Sequence, residues 1–148
     1  MKATTCVRNF MADRISKDAR SRNMQKIRSR DTKPEMVVRR LVHSMGFRYR
    51  LHRKDLPGKP DLVFGAKKKA IFVHGCFWHQ HAATDCKLLH KPKSNNSYWD
   101  AKLMRNMERD ARNQLLLEAE SWHVLIVWEC ETKDVEKLKN RLQNFLSN

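Results

Sequence analysis

Asp61, His74 and His79 are the residues of this chain whose types and spacing most directly suggest chemistry. A carboxylate projecting from the start of a strand suits a hard divalent ion such as Mg²⁺, which takes one or two carboxylates plus water and phosphate oxygen. Such an ion stabilises charge on a phosphodiester undergoing hydrolysis and activates water. Two imidazoles within six residues can serve as general base or acid near neutral pH. Glu35 has two competing roles, a helix-capping carboxylate or a further acid in the same site. The plainer alternatives are an exposed aspartate in a turn after proline and surface histidines. Against them stands the company in residues 56–86, where Asp61 shares a short stretch with His74, His79, His81, Cys76, Cys86 and the pair Phe77-Trp78.

The thiols suggest a second, separate centre. Cys76, His81 and Cys86 are spaced C-x4-H-x4-C, and Cys130 ends the last apolar run. Three thiolates and one imidazole suit tetrahedral Zn²⁺ in a closed structural site, and on spacing alone either His79 or His81 completes the set. The alternative is that Cys76 and Cys130 are buried apolar cysteines. Phe77, Trp78 and Trp99 stand near basic residues, where exposed aromatics can stack on bases or wedge between base steps. Met24, amid Arg20, Arg22 and Lys26, offers a similar wedge, whereas Trp122 and Trp128 are expected in the core.

The elements that must position these groups can be read from periodicity. Residues 16–30 are helix-compatible and very basic. Asp31-Thr32-Lys33-Pro34-Glu35 is a helix start, with Thr32 and Glu35 at capping-box spacing. Val37, Val38, Leu41, Val42 and Met45 follow helical period, and Gly46 stops the helix. Residues 47–51 alternate as a half-exposed strand. Runs 62–64 and 70–73, separated by a turn with Gly65, form a hairpin. A long helix starts near Ser97 with Leu103, Met107, Ala111 and Leu115 on its buried side. Residues 124–128 are a continuous apolar run, expected as a central strand covered on both faces. Thr132 is expected to cap a last helix that buries Val135, Leu138, Leu142 and Phe145. The order α-β-β-β-α-β-α predicts an α/β fold, a mixed sheet flanked by helices.

At 148 residues the chain is expected to form a single domain over 16–148, preceded by a poorly ordered extension at 1–15. The formal charge of +15 points to a polyanion, and nucleic acid fits better than a membrane surface. Neither a basic amphipathic interfacial helix nor an apolar run of transmembrane length is present in the sequence. Residues 1–10 lack a signal-peptide pattern, so a cytoplasmic location is expected, where cysteines favour metal over disulfides. Cys6 stands apart from the other three.

With these residues in view, the chain resembles the very short patch repair (Vsr) endonucleases, bacterial enzymes that nick DNA beside T:G mismatches. The resemblance rests on R-S-R-N-M (20–24), R-D-T-K-P-E (30–35), L-P-G-K-P-D (56–61), F-V-H-G-C-F-W-H (72–79), N-M-E-R-D (106–110) and V-L-I-V-W-E-C (124–130). It implies a restriction-endonuclease-like fold with an altered active site. Asp61 then binds Mg²⁺, as does the Val73 backbone carbonyl. His74 and His79 are the catalytic histidines, with His79 the water-activating base, Asp110 its orienting partner, and Glu35 an active-site glutamate. Cys76, His81, Cys86 and Cys130 become the structural Zn²⁺ ligands. Phe77, Trp78 and Trp99 intercalate, Met24 inserts from the opposite groove, and Lys102 and Asn106 read the mispaired bases.

The implied reaction is Mg²⁺-dependent nicking 5′ to the thymine of a T:G mismatch left by deamination of 5-methylcytosine. The implied setting is the bacterial nucleoid, with a monomer acting on double-stranded DNA and mismatch-repair accessory proteins as further partners. The rivals are a restriction-like nuclease without mismatch preference, a non-catalytic zinc-stabilised DNA-binding module, and an RNA-binding protein.

Overall fold

The computed structural model describes residues 16–26, 30–83, 85–93 and 95–148, so the expected extension at 1–15 and its Cys6 lie outside the described residues. Helix α1 spans Lys17–Gln25, with the Ser16 hydroxyl accepting the Ala19 N–H. Helix α2 spans Lys33–Ser44 behind a Thr32 cap, with proline in its first turn. Strands β1 (Arg50–Leu51), β2 (Leu62–Phe64) and β3 (Lys69–His74) follow, then a single turn α3 (Cys76–His79). The long helix α4 (Asn96–Ala119), strand β4 (His123–Trp128) and helix α5 (Val135–Ser147) complete the order.

The four strands make one sheet in the order β1-β2-β3-β4. β1 and β2 pair antiparallel, as do β2 and β3, whereas β3 and β4 run parallel and are joined through α3 and α4. The expected hairpin and mixed α/β sheet are therefore present. β4 is not central, however, but lies at the sheet edge beside β3. Its apolar run reflects cover on both faces, with Leu125 and Val127 against one cluster and Val124 and Ile126 against the other. Of the strand expected at 47–51 only Arg50 and Leu51 pair, while Phe47 and Tyr49 pack on the core as the alternation implies.

Strand parity divides the core. Leu62, Phe64, Ile71, Val73 and Val127 point to the side covered by α2 and α5, where Val38, Val42, Leu138, Leu142 and Leu146 meet them. Fully burying each such aliphatic side chain stabilises the fold by about 1.5–3 kcal/mol. Val63, Ala70 and Phe72 point the other way, toward Leu56, Leu117 and Trp122. By the same two-residue period Asp61 and His74 belong to this second, α4 side. That parity is what assembles the site.

Two expected details differ. Asp134, not Thr132, caps α5 by accepting the Lys137 N–H at 3.1 Å. Thr132 sits one short helical turn earlier and donates its hydroxyl to the Glu129 carbonyl. On α4 the buried residues are Trp99, Leu103 and Leu117, while Met107 (43% exposed) and Leu115 (66%) face solvent. The Lys67-Lys68-Lys69 run is not merely a turn. Lys67 and Lys69 donate to the carbonyls of Leu146 and Phe145 at the end of α5, and Lys68 to Glu120 at the end of α4. Cations are favoured at helix C-termini, so the hairpin turn fastens both helices to the sheet.

Candidate active site

A cleft of about 930 Å³ opens between α2, the loop before β2, the end of β3 and the inner face of α4. Asp61, Glu35, Val73, His74, His79 and Asp110 all line it, as do Met24, Trp78 and Lys102. The groups gathered around catalysis by the sequence reading thus share one cavity.

Asp61 enters from the start of β2, and its Oδ2 accepts the Val73 N–H at 2.7 Å across the hairpin. Burial pushes its carboxyl up to about 6, against the pull of that N–H. A carboxylate stripped of water in this way, with oxygen donors beside it, is a fitting first ligand for a hard cation. Glu35 is tied into the helix start and also borders the cleft. Its backbone N–H donates to Thr32 Oγ1, its Oε2 accepts the Asp31 N–H at 3.0 Å, and its buried side chain still reaches the cleft. Arg39 donates to the same Oε2 at 2.9 Å.

His79 lies on α3 and its Nδ1 meets Asp110 Oδ2 at 2.5 Å. A carboxylate only accepts, so Nδ1 carries the proton and Nε2 remains an acceptor. Burial alone would raise the Asp110 carboxyl, but the hydrogen bond and charge of His79, with His74 and Arg109, outweigh it and hold it low. Arg109 donates to the other oxygen of Asp110 at 3.0 Å. His74 ends β3 and stacks flat on His79, with Trp128 edge-on at 5.4 Å. Burial, then the charge of His79, drives the His74 imidazole down to about 3, so it is neutral at ordinary pH. The set can take a proton at His79 Nε2 and stabilise the resulting imidazolium.

Cys76, His81, Cys86 and Cys130 come together, with their ligand atoms all within 4.8 Å of one another. His79 is not among them; of the two histidines left open by spacing, His81 is the one that lies with the thiols. Its Nε2 is 3.7 Å from Cys130 Sγ, and the Cys130 N–H donates to Cys76 Sγ at 3.4 Å. Burial pushes the Cys76 thiol up to about 12 and raises that of Cys130. The donor set fits a closed tetrahedral site that would tie the turn after β4 to α3.

Phe77, Trp78 and Trp99 form one aromatic cluster with Tyr98, at centroid separations of 4.9 to 6.1 Å. The expectation of exposed rings is corrected for Trp99, which is buried at 8% exposure beneath its neighbours, while Tyr98 is the open one at 46%. Lys102 holds its ammonium 5.2 to 5.8 Å from the rings of Trp78, Tyr98 and Trp99. Asn106 donates its amide to the Trp78 carbonyl at 3.0 Å, which fixes α3 against α4. Met24, at the end of α1, borders the cleft.

Sequence reasoning missed His52, Arg39 and Asn113. His52 lies between Glu35 and Asp61, and burial lowers its imidazole against the pull of Glu35, with Arg39 and Arg30 adding to the effect. Asn113 closes the cleft floor against Gly58. None of these stands in a motif; only the fold brings them to the site.

Comparison with known proteins agrees with the geometry. The family described as DNA mismatch endonuclease Vsr matches residues 12–87. The type II nicking enzyme V.XorIIP of Xanthomonas oryzae pv. oryzae is 49% identical over 136 residues, covering 92% of this chain and 98% of that protein. The DNA mismatch endonuclease Vsr of Escherichia coli is 41% identical over 128 residues, covering 86% and 80%. Among solved structures, the catalytic domain of the homing endonuclease I-Bth0305I shares the fold, with a TM-score of 0.51 and 24% identity over 78% of this chain and 94% of that one. The chain belongs to the Vsr family of DNA mismatch endonucleases, and it is a DNA-hydrolysing endonuclease.

Proposed function

We propose that the protein nicks one strand of duplex DNA 5′ to the thymine of a T:G mismatch, the lesion left when 5-methylcytosine is deaminated. The observation that carries the reading is the 2.5 Å His79–Asp110 contact in a cleft shared with Asp61. Asp110 keeps the proton of His79 on Nδ1, so Nε2 can take a proton from water as its oxygen attacks the scissile phosphorus. The bond from phosphorus to the departing sugar oxygen breaks, and that oxygen leaves as the hydroxyl of the nicked strand end once protonated by solvent. Asp110 then balances the imidazolium that forms. His74, neutral and stacked beneath, fixes the plane of the His79 ring.

Asp61, the Val73 carbonyl and Glu35 are hard oxygen donors that would hold Mg²⁺. When bound, the ion supplies charge stabilisation at the phosphate and acidifies water. Cys76, His81, Cys86 and Cys130 would hold Zn²⁺ as a structural tie. Phe77 and Trp78, backed by the buried Trp99, open the base stack at the mismatch, Met24 enters from the opposite groove, and Lys102 and Asn106 read the mispaired bases. The net charge of +15 favours association with duplex DNA. In this reading the enzyme acts as a monomer on bacterial nucleoid DNA in the cytoplasm, and mismatch-repair accessory proteins take up the nick.

The test is single-turnover nicking of matched and T:G duplexes with Mg²⁺, by the wild type and by Asp61→Asn. Cutting of the T:G duplex alone, lost in the variant, is expected. Equal cutting of both duplexes overturns the mismatch preference, and full activity of Asp61→Asn overturns the ion site.

A further inference from the structure

We propose that His52, backed by Arg39, is a positioning residue for the cleavage reaction: it sets the orientation of the two cleft carboxylates, Asp61 and Glu35, toward a divalent ion. The inference rests on the reading that Asp61 is an ion ligand.

Asp31, Glu35 and His52 lie close enough together to resemble an ion site of their own. The space between them is already taken. The Arg39 guanidinium donates to Asp31 at 2.5 Å, to Glu35 at 2.9 Å and makes a 3.0 Å contact with His52 Nε2. Its side chain is only 8% exposed, so this cation is a built-in part of the wall.

The contact with Arg39 fixes the chemistry of His52. Guanidinium nitrogens only donate, so His52 Nε2 is the acceptor and the ring proton sits on Nδ1. That nitrogen is 3.7 Å from Asp61 Oδ1, while the other oxygen of Asp61 is held by the Val73 N–H at 2.7 Å. Asp61 therefore has one oxygen tethered to β3 and the other facing a donor. Nε2 also lies 4.0 Å from Glu35 Oε2, so one ring spaces both carboxylates. The backbone at His52 is left-handed, with φ 45°, immediately after β1. Such a conformation is uncommon outside glycine, and here it ends the strand at the point where the ring enters the cleft. Outer-shell partners of this kind orient ligands and change metal affinity by about 10- to 100-fold when removed.

The experiment measures Mn²⁺ binding to the full chain by the electron paramagnetic resonance signal of free Mn²⁺, alongside Mg²⁺-dependent nicking. His52→Ala and His52→Leu remove both polar contacts, with and without loss of bulk, while His52→Gln keeps a donor and an acceptor. Asp61→Asn is the control. The expected result is about 10-fold weaker Mn²⁺ binding and a matching rise in the Mg²⁺ needed for half-maximal nicking in Ala and Leu, with Gln within about threefold of wild type. Duplex affinity without divalent ions stays unchanged. Wild-type Mn²⁺ binding by His52→Leu, or equal loss in Leu and Gln, overturns the positioning role. Where Asp61→Asn abolishes Mn²⁺ binding and His52→Leu does not alter it, only this inference fails. Mn²⁺ binding retained by Asp61→Asn overturns the ion site and the inference together.

Discussion

The imidazoles of His74 and His79 lie face to face, with centroids 3.9 Å apart and planes 11° from parallel. Two stacked rings at this distance do not both carry charge readily, and the fold decides between them. His74 is buried between Phe72 and Trp128, whereas His79 has the Asp110 carboxylate on its Nδ1. Asp110→Asn tests that division. The amide can present its NH₂ to Nδ1, which moves the ring proton to Nε2 and removes the acceptor. Nicking in a single turnover should fall about 10²- to 10⁴-fold, with duplex affinity held.

The buried titratable groups predict opposite pH slopes for two variants. His74 is pushed from 6.5 down to about 3 in the folded chain, so the unfolded state binds the extra proton and stability is lost as pH falls below 6.5. Asp61 is raised from 3.8 to about 6, so the folded state takes the proton and stability rises as pH falls from 6 toward 3.8. In the wild type these trends offset one another, and differences between variants separate them. Urea unfolding without added divalent ions should show His74→Phe gaining on wild type by up to ~1.4 kcal/mol per pH unit below 6.5. Asp61→Asn should lose its advantage over the interval in which Asp61 becomes protonated. Mn²⁺ binding should weaken about tenfold per unit below pH 6, because the ion and the Asp61 proton compete.

A different measurement addresses the thiol cluster. Metal analysis of the purified chain should give one zinc per molecule, and Cys130→Ala should lower that content and the melting temperature together. Cys130 follows β4 and Cys76 opens α3, so the metal-free variant should also lose the His79 geometry and nick slowly. A full melting temperature without zinc would leave the cluster as four packed side chains.

Much of the site was legible because strand parity is a strict period of two. Asp61 and Val63 on β2, with Ala70, Phe72 and His74 on β3, fall on one face once the hairpin is recognised. Helix α4 was harder. Leu103, Met107, Ala111 and Leu115 step by four residues, and each such step turns about 40° past a full rotation, so the row leaves the buried side. The inner face instead follows Trp99, Leu103, Asn106, Asp110, Asn113 and Leu117, alternating steps of three and four. Three of those six are polar because they reach the site region, and an apolar-period reading passes over them. His52 and Arg39 escaped for another reason. Their contact joins residues thirteen apart across a left-handed turn that no local pattern announces.

Gly58 supplies the last prediction. It has φ +73°, and a Cβ placed there would lie 3.0 Å from the Asn113 side-chain nitrogen and 3.1 Å from a Phe72 ring carbon. The backbone angle therefore disfavours any side chain, and a Cβ would also press its neighbours aside by a few tenths of an ångström. A non-glycine residue forced into such a conformation costs of order 1–3 kcal/mol, before any contact is displaced. The loop carrying Gly58 leads directly to Pro60 and Asp61, and Phe72 and Val73 form the neighbouring strand that fastens Asp61. Gly58→Ala should thus lower the melting temperature and also raise the Mg²⁺ required for nicking, because the displaced loop moves Asp61 relative to Val73. Asn113→Ala removes the amide at 3.0 Å but leaves its own Cβ and the Phe72 ring at 3.1 Å, as well as the backbone angle, so in the double variant only a small part of the stability should return. Full recovery in the double variant would show that crowding alone keeps a glycine at this position.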